Sequence, residues 1–168
     1  DTDVVTPVGE EEATSSHRPR NYRGFFNPFP EVVAVTGAEE RWTRECGGAF
    51  KSVAQLGKAR KYYNHIPAFR AMNRLGTRMW TDYLTVAVER NPWDKAISQF
   101  HWKARRRPGY TFDEFVREGD LGVNYPRYCH PRTGEILVDY MIYYDQLNDG
   151  LSRVFSVVGI PFDGALTV

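Results

Sequence analysis

The chain reads as an α/β protein in which helices cover a central parallel sheet. Three observations lead there. Strand-like and helical segments alternate along the chain, the pattern that builds parallel sheets. The apolar, β-branched run Leu84–Glu89 ends at Arg90 and passes through Asn91 and Pro92 straight into a helical pattern. The chain has 168 residues, 42% of them hydrophobic and 14% aromatic, enough to fill the core of one domain spanning 1–168.

The elements follow in order. Residues 1–30 are rich in Pro, Gly, Asn, Arg and Glu and read as a loop-rich lead. Glu31–Thr36 (EVVAVT) reads as a short strand, Glu39–Glu45 as a helical turn and Gly47–Gly57 as a short helix. Pro67–Leu75 is a helix with Pro67 in its first turn. Its apolar stripe is Ala68, Ala71, Met72 and Leu75, and Gly76 closes it. Leu84–Glu89 is a strand and Asn91–Arg106 the main helix, with Asn91 at the N-cap and Pro92 at the first position. The main helix carries its apolar residues at Trp93, Ala96, Ile97, Phe100 and Ala104, and Trp93 and Trp102 read as core aromatics. Pro108 and Gly109 break the chain. Thr111-Phe112-Asp113-Glu114 is a capping box whose helix buries Phe112, Phe115 and Val116. Gly119–Gly134 reads as loop and Ile136–Tyr144 as an apolar, aromatic strand. Asn148–Val158 is an amphipathic helix with Leu151, Val154, Phe155 and Val158 inward, stopped by Gly159 and Pro161.

Composition narrows the function. Twenty-two basic residues balance 21 acidic ones, so a net charge of +1 gives no global pull toward nucleic acid. The two cysteines, Cys46 and Cys129, lack metal-site spacing, and no metal is expected. No apolar stretch of about 20 residues spans a membrane, and no targeting signal is visible, so a cytoplasmic location is expected. The first residue is Asp, which leaves room for truncation at the N-terminus, and the stop soon after Pro161 leaves room for it at the C-terminus.

The chemistry concentrates at Arg90. It ends a strand where open α/β sheets bind ligands. The following helix start offers backbone N–H groups and a positive dipole end, which favour an anion. Ser98 lies eight residues on, about 12 Å along the helix. One phosphate reaches both only if the Arg90 side chain folds back along the helix. Taken by itself the segment favours a capped α/β turn with a surface arginine and a solvated serine.

Arg90, Asn91, Pro92, Asp94, Lys95 and Ser98 together resemble the phosphate motif of the sulfotransferases that use 3′-phosphoadenosine 5′-phosphosulfate (PAPS). The likeness extends over HIPAFRAMNRLGTRMWTDYLTVAVERNPWDKAISQF and over VDYMIYYDQLNDGLSRVFSVVGIP, where Asp145 stands in place of the family's usual Glu. The early DVVTPVGEEEA…RPRNYRGF resembles a loop of the bacterial, carbohydrate-type members. The resemblance implies a three-layer, P-loop-like fold. It implies that Arg90 and Ser98, with the backbone at Asn91, hold the 3′-phosphate of PAPS or of its product PAP. The implied reaction moves a sulfuryl group to a hydroxyl of a carbohydrate or small molecule, with no metal.

Sulfuryl transfer, like phosphoryl transfer, needs positioning, a base at the acceptor and a cation at the bridging oxygen. His65 is the candidate base, since imidazole titrates near neutrality. The alternative is a histidine that caps the next helix or hydrogen-bonds in the core. His101 is the second candidate, three residues beyond Ser98 and so on roughly the same helix face. Its alternative is an exposed helical histidine. Lys103, Arg105, Arg106 and Arg107 suit a helix C-terminus. Asp145 reads as a structural hydrogen-bond acceptor. One departure bears on activity: family members carry an early P-K-x-G-(S/T)-(S/T) loop that grips the 5′-phosphosulfate, and this chain shows none. Cys46–Ser52 has only a faint likeness to a Gly-rich loop. The rival reading is therefore a non-catalytic module of the same fold that binds a nucleotide, a glycan or a protein. A P-loop kinase is the third, disfavoured by the absence of a Walker lysine.

Overall fold

The structure is a computed structural model that describes residues 3–7, 17–36, 60–119 and 121–164. They fall into two compact units. One comprises Asp1–Tyr83 with Tyr125–Leu137, the other Leu84–Asn124 with Val138–Val168. The expected elements Glu39–Glu45 and Gly47–Gly57, and the Cys46–Ser52 segment, lie outside the described residues.

In the first unit, helix α1 spans Phe29–Val35. The expected strand Glu31–Thr36 is therefore helical through Val35, with Thr36 as the C-cap. Its start explains why. Asn27 Oδ1 accepts from the Phe29 N–H at 3.0 Å, and two prolines, Pro28 and Pro30, preset the first turn. Glu31 and Val35 then stand one turn apart, and both are buried. Tertiary burial of that face overrides the strand preference of the three valines. Helix α2, Ala68–Leu75, begins after Pro67 and ends at Gly76, whose φ of 88° suits glycine. Its deeply buried side chains are Ala68, Phe69, Arg70 and Arg74, whereas Ala71, Met72 and Leu75 of the expected stripe are half-buried. The helix turns its arginines inward because Glu31 is there. The Arg74 guanidinium forks onto the Glu31 carboxylate, with Nε and Nη2 donating at 2.6 and 2.8 Å. Arg74 also lies 3.9 Å over the Phe26 ring and donates to the Lys61 carbonyl at 2.7 Å. Arg70 Nε stands 3.6 Å from Glu31, and its Nη1 donates to the Tyr63 hydroxyl at 2.8 Å. Val35 and Phe69 form an apolar core beside this triad, with Ala34 and Leu137 packed on it. A short helix α3, Thr77–Asp82, follows. The lead contributes two isolated antiparallel bridges, Val5 with Arg20 and Arg23 with Arg60.

The second unit holds the sheet. Strands β1, Val86–Glu89, and β2, Tyr140–Tyr143, pair in parallel with Val86 opposite Tyr140 and Glu89 opposite Tyr143. The expected strand Ile136–Tyr144 is shorter at both ends. Ile136 bridges Cys129 instead, and Tyr144–Gln146 is a 3₁₀ turn. Register is set just before the pairing begins. Asp139 Oδ2 accepts from the Thr85 N–H at 2.8 Å and from its hydroxyl at 2.7 Å, and the Asp139 N–H donates to the Thr85 carbonyl at 3.0 Å. These bonds, the hydroxyl first, hold the Asp139 carboxyl below its ordinary range.

Helices α4 (Pro92–Ala104), α5 (Phe112–Glu118) and α6 (Leu147–Val158) complete this unit. The described fold is thus α/β, with helices and a two-stranded parallel sheet. The capping box forms as read: Thr111 Oγ1 accepts from the Glu114 N–H at 3.3 Å, and Glu114 accepts from the Thr111 N–H at 2.8 Å. Two burial expectations fail in α5. Phe115 is fully buried, but Phe112 and Val116 are 44% and 50% exposed. A seven-residue helix has one inward row here, and Phe112 instead meets the Phe100 ring edge-on. The tryptophans are surface residues too. Trp93 sits in the first turn of α4, ahead of the stretch that meets α5, and is 78% exposed. Trp102 faces solvent beneath the Arg106 guanidinium, 4.1 Å above its ring. Ile97 is likewise exposed. On α6 Val154 is buried, Leu151 and Phe155 are half-buried, and Val158, in the last turn, is exposed. Gly159 closes α6 in the left-handed conformation.

Gly150 shows how closely α6 lies on β2. A Cβ there would run into the Ile142 side chain, which is buried. Gly150→Ala is expected to destabilise by about 1–3 kcal/mol through overpacking, although alanine is the better helix former. The urea midpoint reads the change, and an unchanged or raised midpoint would show that the contact has slack.

Candidate functional site

The candidate site is built at the carboxyl end of β1. The strand stops at Glu89, so Arg90 leaves the sheet where the parallel pair ends. Register places Tyr143 opposite Glu89, which brings the next residue, Tyr144, beside Arg90. The Arg90 guanidinium lies 4.2 Å over the Tyr144 ring. Its Nε is buried and finds no hydrogen-bond partner among the described residues. The side chain is half-buried, held flat on the tyrosine, with donor capacity left over. Tyr144 was not singled out in the sequence. The only signal for it was its place one residue past the end of a second parallel strand.

Asn91 caps the helix, its Oδ1 accepting from the Trp93 N–H at 3.0 Å. This cap narrows the anion site. Pro92 has no N–H, that of Trp93 is taken, and that of Lys95 bonds to the Asn91 carbonyl at 2.9 Å. The first turn therefore leaves the Asp94 N–H. Lys95 is 3.8 Å from the Glu89 carboxylate, which also accepts from the Arg90 N–H at 3.2 Å. Arg90 is the group here best able to hold an anion.

Ser98 and His101 come together elsewhere on α4. Both are exposed, and with Trp102, Ala104 and Arg105 they line an open depression of about 570 Å³ in which Arg90 takes no part. His65 belongs to the first unit. It is exposed and has a left-handed φ of 59°, which is costly for a non-glycine residue. Its carbonyl accepts from Arg127 at 3.0 Å. Neither structural alternative for His65 holds: α2 has no side-chain cap, and the residue lies outside the core.

Two cations at the basic end of α4 are structural. Lys103 and Arg107 donate to the two oxygens of Glu118 at 3.1 and 2.6 Å, tying α4 to the end of α5. The neighbouring Tyr110 hydroxyl and the Arg107 and Lys103 cations hold the Glu118 carboxyl down at about 2. The folded state thus favours the ionised form. Its contribution to stability is fully present above the ordinary glutamate range near 4.5 and is lost as pH falls toward about 2. A carbon-detected NMR titration of Glu118 is expected to show a midpoint well below that of a free glutamate. In Arg107→Ala that midpoint should rise.

Cys129 is a fully buried free thiol. Among the described residues no helix is long and apolar enough to cross a membrane, and no group of three His, Cys, Asp or Glu is placed to hold a metal.

Fold and site together define an α/β protein with an arginine-bearing strand end. A stretch of 101 residues is 32% identical to an uncharacterized protein of Archaeoglobus fulgidus, covering 57% of this chain and 84% of that protein. The chain belongs to the same family as that archaeal protein. No family model matches it, and no solved structure does.

Proposed function

We propose that the protein is a PAPS-dependent sulfotransferase that transfers a sulfuryl group to a hydroxyl of a carbohydrate or small molecule. The observation that carries this reading is Arg90 at the carboxyl end of a parallel strand, stacked on Tyr144 with an Nε unpartnered among the described residues, directly before the capped helix α4. In this reading the sheet is the centre of a three-layer, P-loop-like fold, and the protein works in the cytoplasm. Arg90 binds the 3′-phosphate as a charged fork. For Ser98 to share that phosphate, Arg90 leaves Tyr144 and extends along α4. His65 takes the proton of the acceptor hydroxyl as the sulfuryl group arrives.

The test is calorimetric titration with PAP, with adenosine 5′-monophosphate, which lacks the 3′-phosphate, as the control. Tight binding of PAP alone supports the site; equal or absent binding of the two sinks it. Incubation with PAPS and a mixed glycan acceptor set then separates two readings. Release of PAP marks the enzyme, while binding without turnover marks the non-catalytic module.

A further inference from the structure

A second cavity lies wholly within the first unit, between α1 and α2, and has a volume of about 430 Å³. Its walls are apolar. Phe29 and Val33 of α1 and Met72 of α2 line it, and Phe69, fully buried, forms part of the lining below them. The polar lining is Asn73, His130 and Arg132. Among the described residues no carboxylate lines the cavity; Glu31 of α1 is 1% exposed and committed to Arg70 and Arg74.

The turn carrying the two cationic-type residues is internally fixed. The His130 N–H donates to the Glu135 carbonyl at 2.7 Å, and the Gly134 N–H returns to the His130 carbonyl at 2.9 Å. His130 Nδ1 accepts from the backbone N–H groups of Arg132 and Thr133 at 3.4 and 3.3 Å. With Nδ1 accepting, the neutral ring carries its proton on Nε2 and is a donor there. The Arg132 guanidinium has no carboxylate partner among the described residues. The cavity therefore combines an apolar slot with a permanent cation, an imidazole N–H and a side-chain amide.

We propose that this cavity binds a small organic anion: one carboxylate carried on a flat or branched apolar body. The apolar body fits between Val33 and Met72, and the carboxylate meets Arg132, with His130 and Asn73 as further donors. Charge complementarity selects this occupant: Arg132 attracts an anion that a neutral body does not supply, and a polyanion would find apolar walls. The site is independent of the nucleotide reading, since it uses no residue assigned there.

The probe is 2-naphthoate, with neutral 2-naphthamide as its isostere, titrated into the ¹⁵N-labelled chain. Naphthoate is expected to shift the amides of Val33, Ala34, Asn73 and Arg132 saturably, and naphthamide to bind at least about tenfold more weakly, the effect of losing one charge-assisted hydrogen bond. Arg132→Ala is expected to weaken naphthoate by the same factor and leave naphthamide unchanged. Arg132 is exposed, and the spectrum itself reports that the variant is folded. No saturable shift, shifts scattered outside α1, α2 and the 130–134 turn, or equal naphthoate affinity in Arg132→Ala would each overturn the proposal.

Discussion

Glu31→Ala is expected to lower the stability of the protein by about 3–5 kcal/mol, the largest effect of any single change considered for the fold. Glu31, Arg70 and Arg74 are 1%, 2% and 6% exposed. Removing the carboxylate leaves two guanidinium groups inside the protein without the Glu31 charge that both approach. Arg74 keeps the uncharged carbonyl of Lys61 and the face of Phe26, and the Tyr63 hydroxyl that Arg70 keeps is likewise uncharged. The loss therefore reflects stranded cations more than the worth of the ion pairs. That distinction is testable. A triple replacement by Met, Leu and Met at positions 70, 31 and 74 removes all three charges and is expected to recover most of the stability. Urea midpoints for the two variants read both outcomes. If Glu31→Ala costs less than about 1 kcal/mol, the triad is solvated in solution and the packing of α1 on α2 rests on Val35 and Phe69 alone.

Arg90→Ala is expected to weaken PAP binding about 100-fold, equivalent to about 2.8 kcal/mol, while the fold is retained. The site leans on this side chain more than a generic helix N-terminus would, because Pro92, the Asn91 cap and the Asn91 carbonyl leave the first turn only the Asp94 N–H. Adenosine 5′-monophosphate should respond weakly to the same change. Ser98→Ala is expected to matter less, since an exposed hydroxyl contributes a single hydrogen bond where the Arg90 guanidinium contributes a charged fork. Calorimetry on the three proteins orders these effects. Equal PAP affinity for the wild type and Arg90→Ala would remove Arg90 from the site.

Much of the chain's local grammar was readable in advance. The N-cap at Asn91, the capping box at Thr111 and Glu114, the glycine stops at Gly76 and Gly159 and the strand up to Glu89 all depend on residues within a few positions of one another. Short-range chemistry decides them, and it is written in consecutive letters. The same holds for the placement of Arg90 between a strand and a helix. Burial was less readable. Phe112, Val116, Trp93 and Trp102 have the apolar character of core residues, yet each is exposed. Arg70 and Arg74 have surface character and are inside.

The reason is that burial and partnership are set by elements distant in sequence. EVVAVT is helical because Glu31 meets an arginine 43 residues away. Tyr144 lies under Arg90 because two parallel strands share a register that Thr85 and Asp139, 54 residues apart, hold in place. Sequence alone determined the caps and stops of α2, α4, α5 and α6, that the fold is α/β, and that an arginine stands at the strand end. Only the tertiary structure decided which charges are buried, which aromatics are exposed, and that Ser98 faces a depression without Arg90, because each of these depends on long-range contacts that local propensity does not encode.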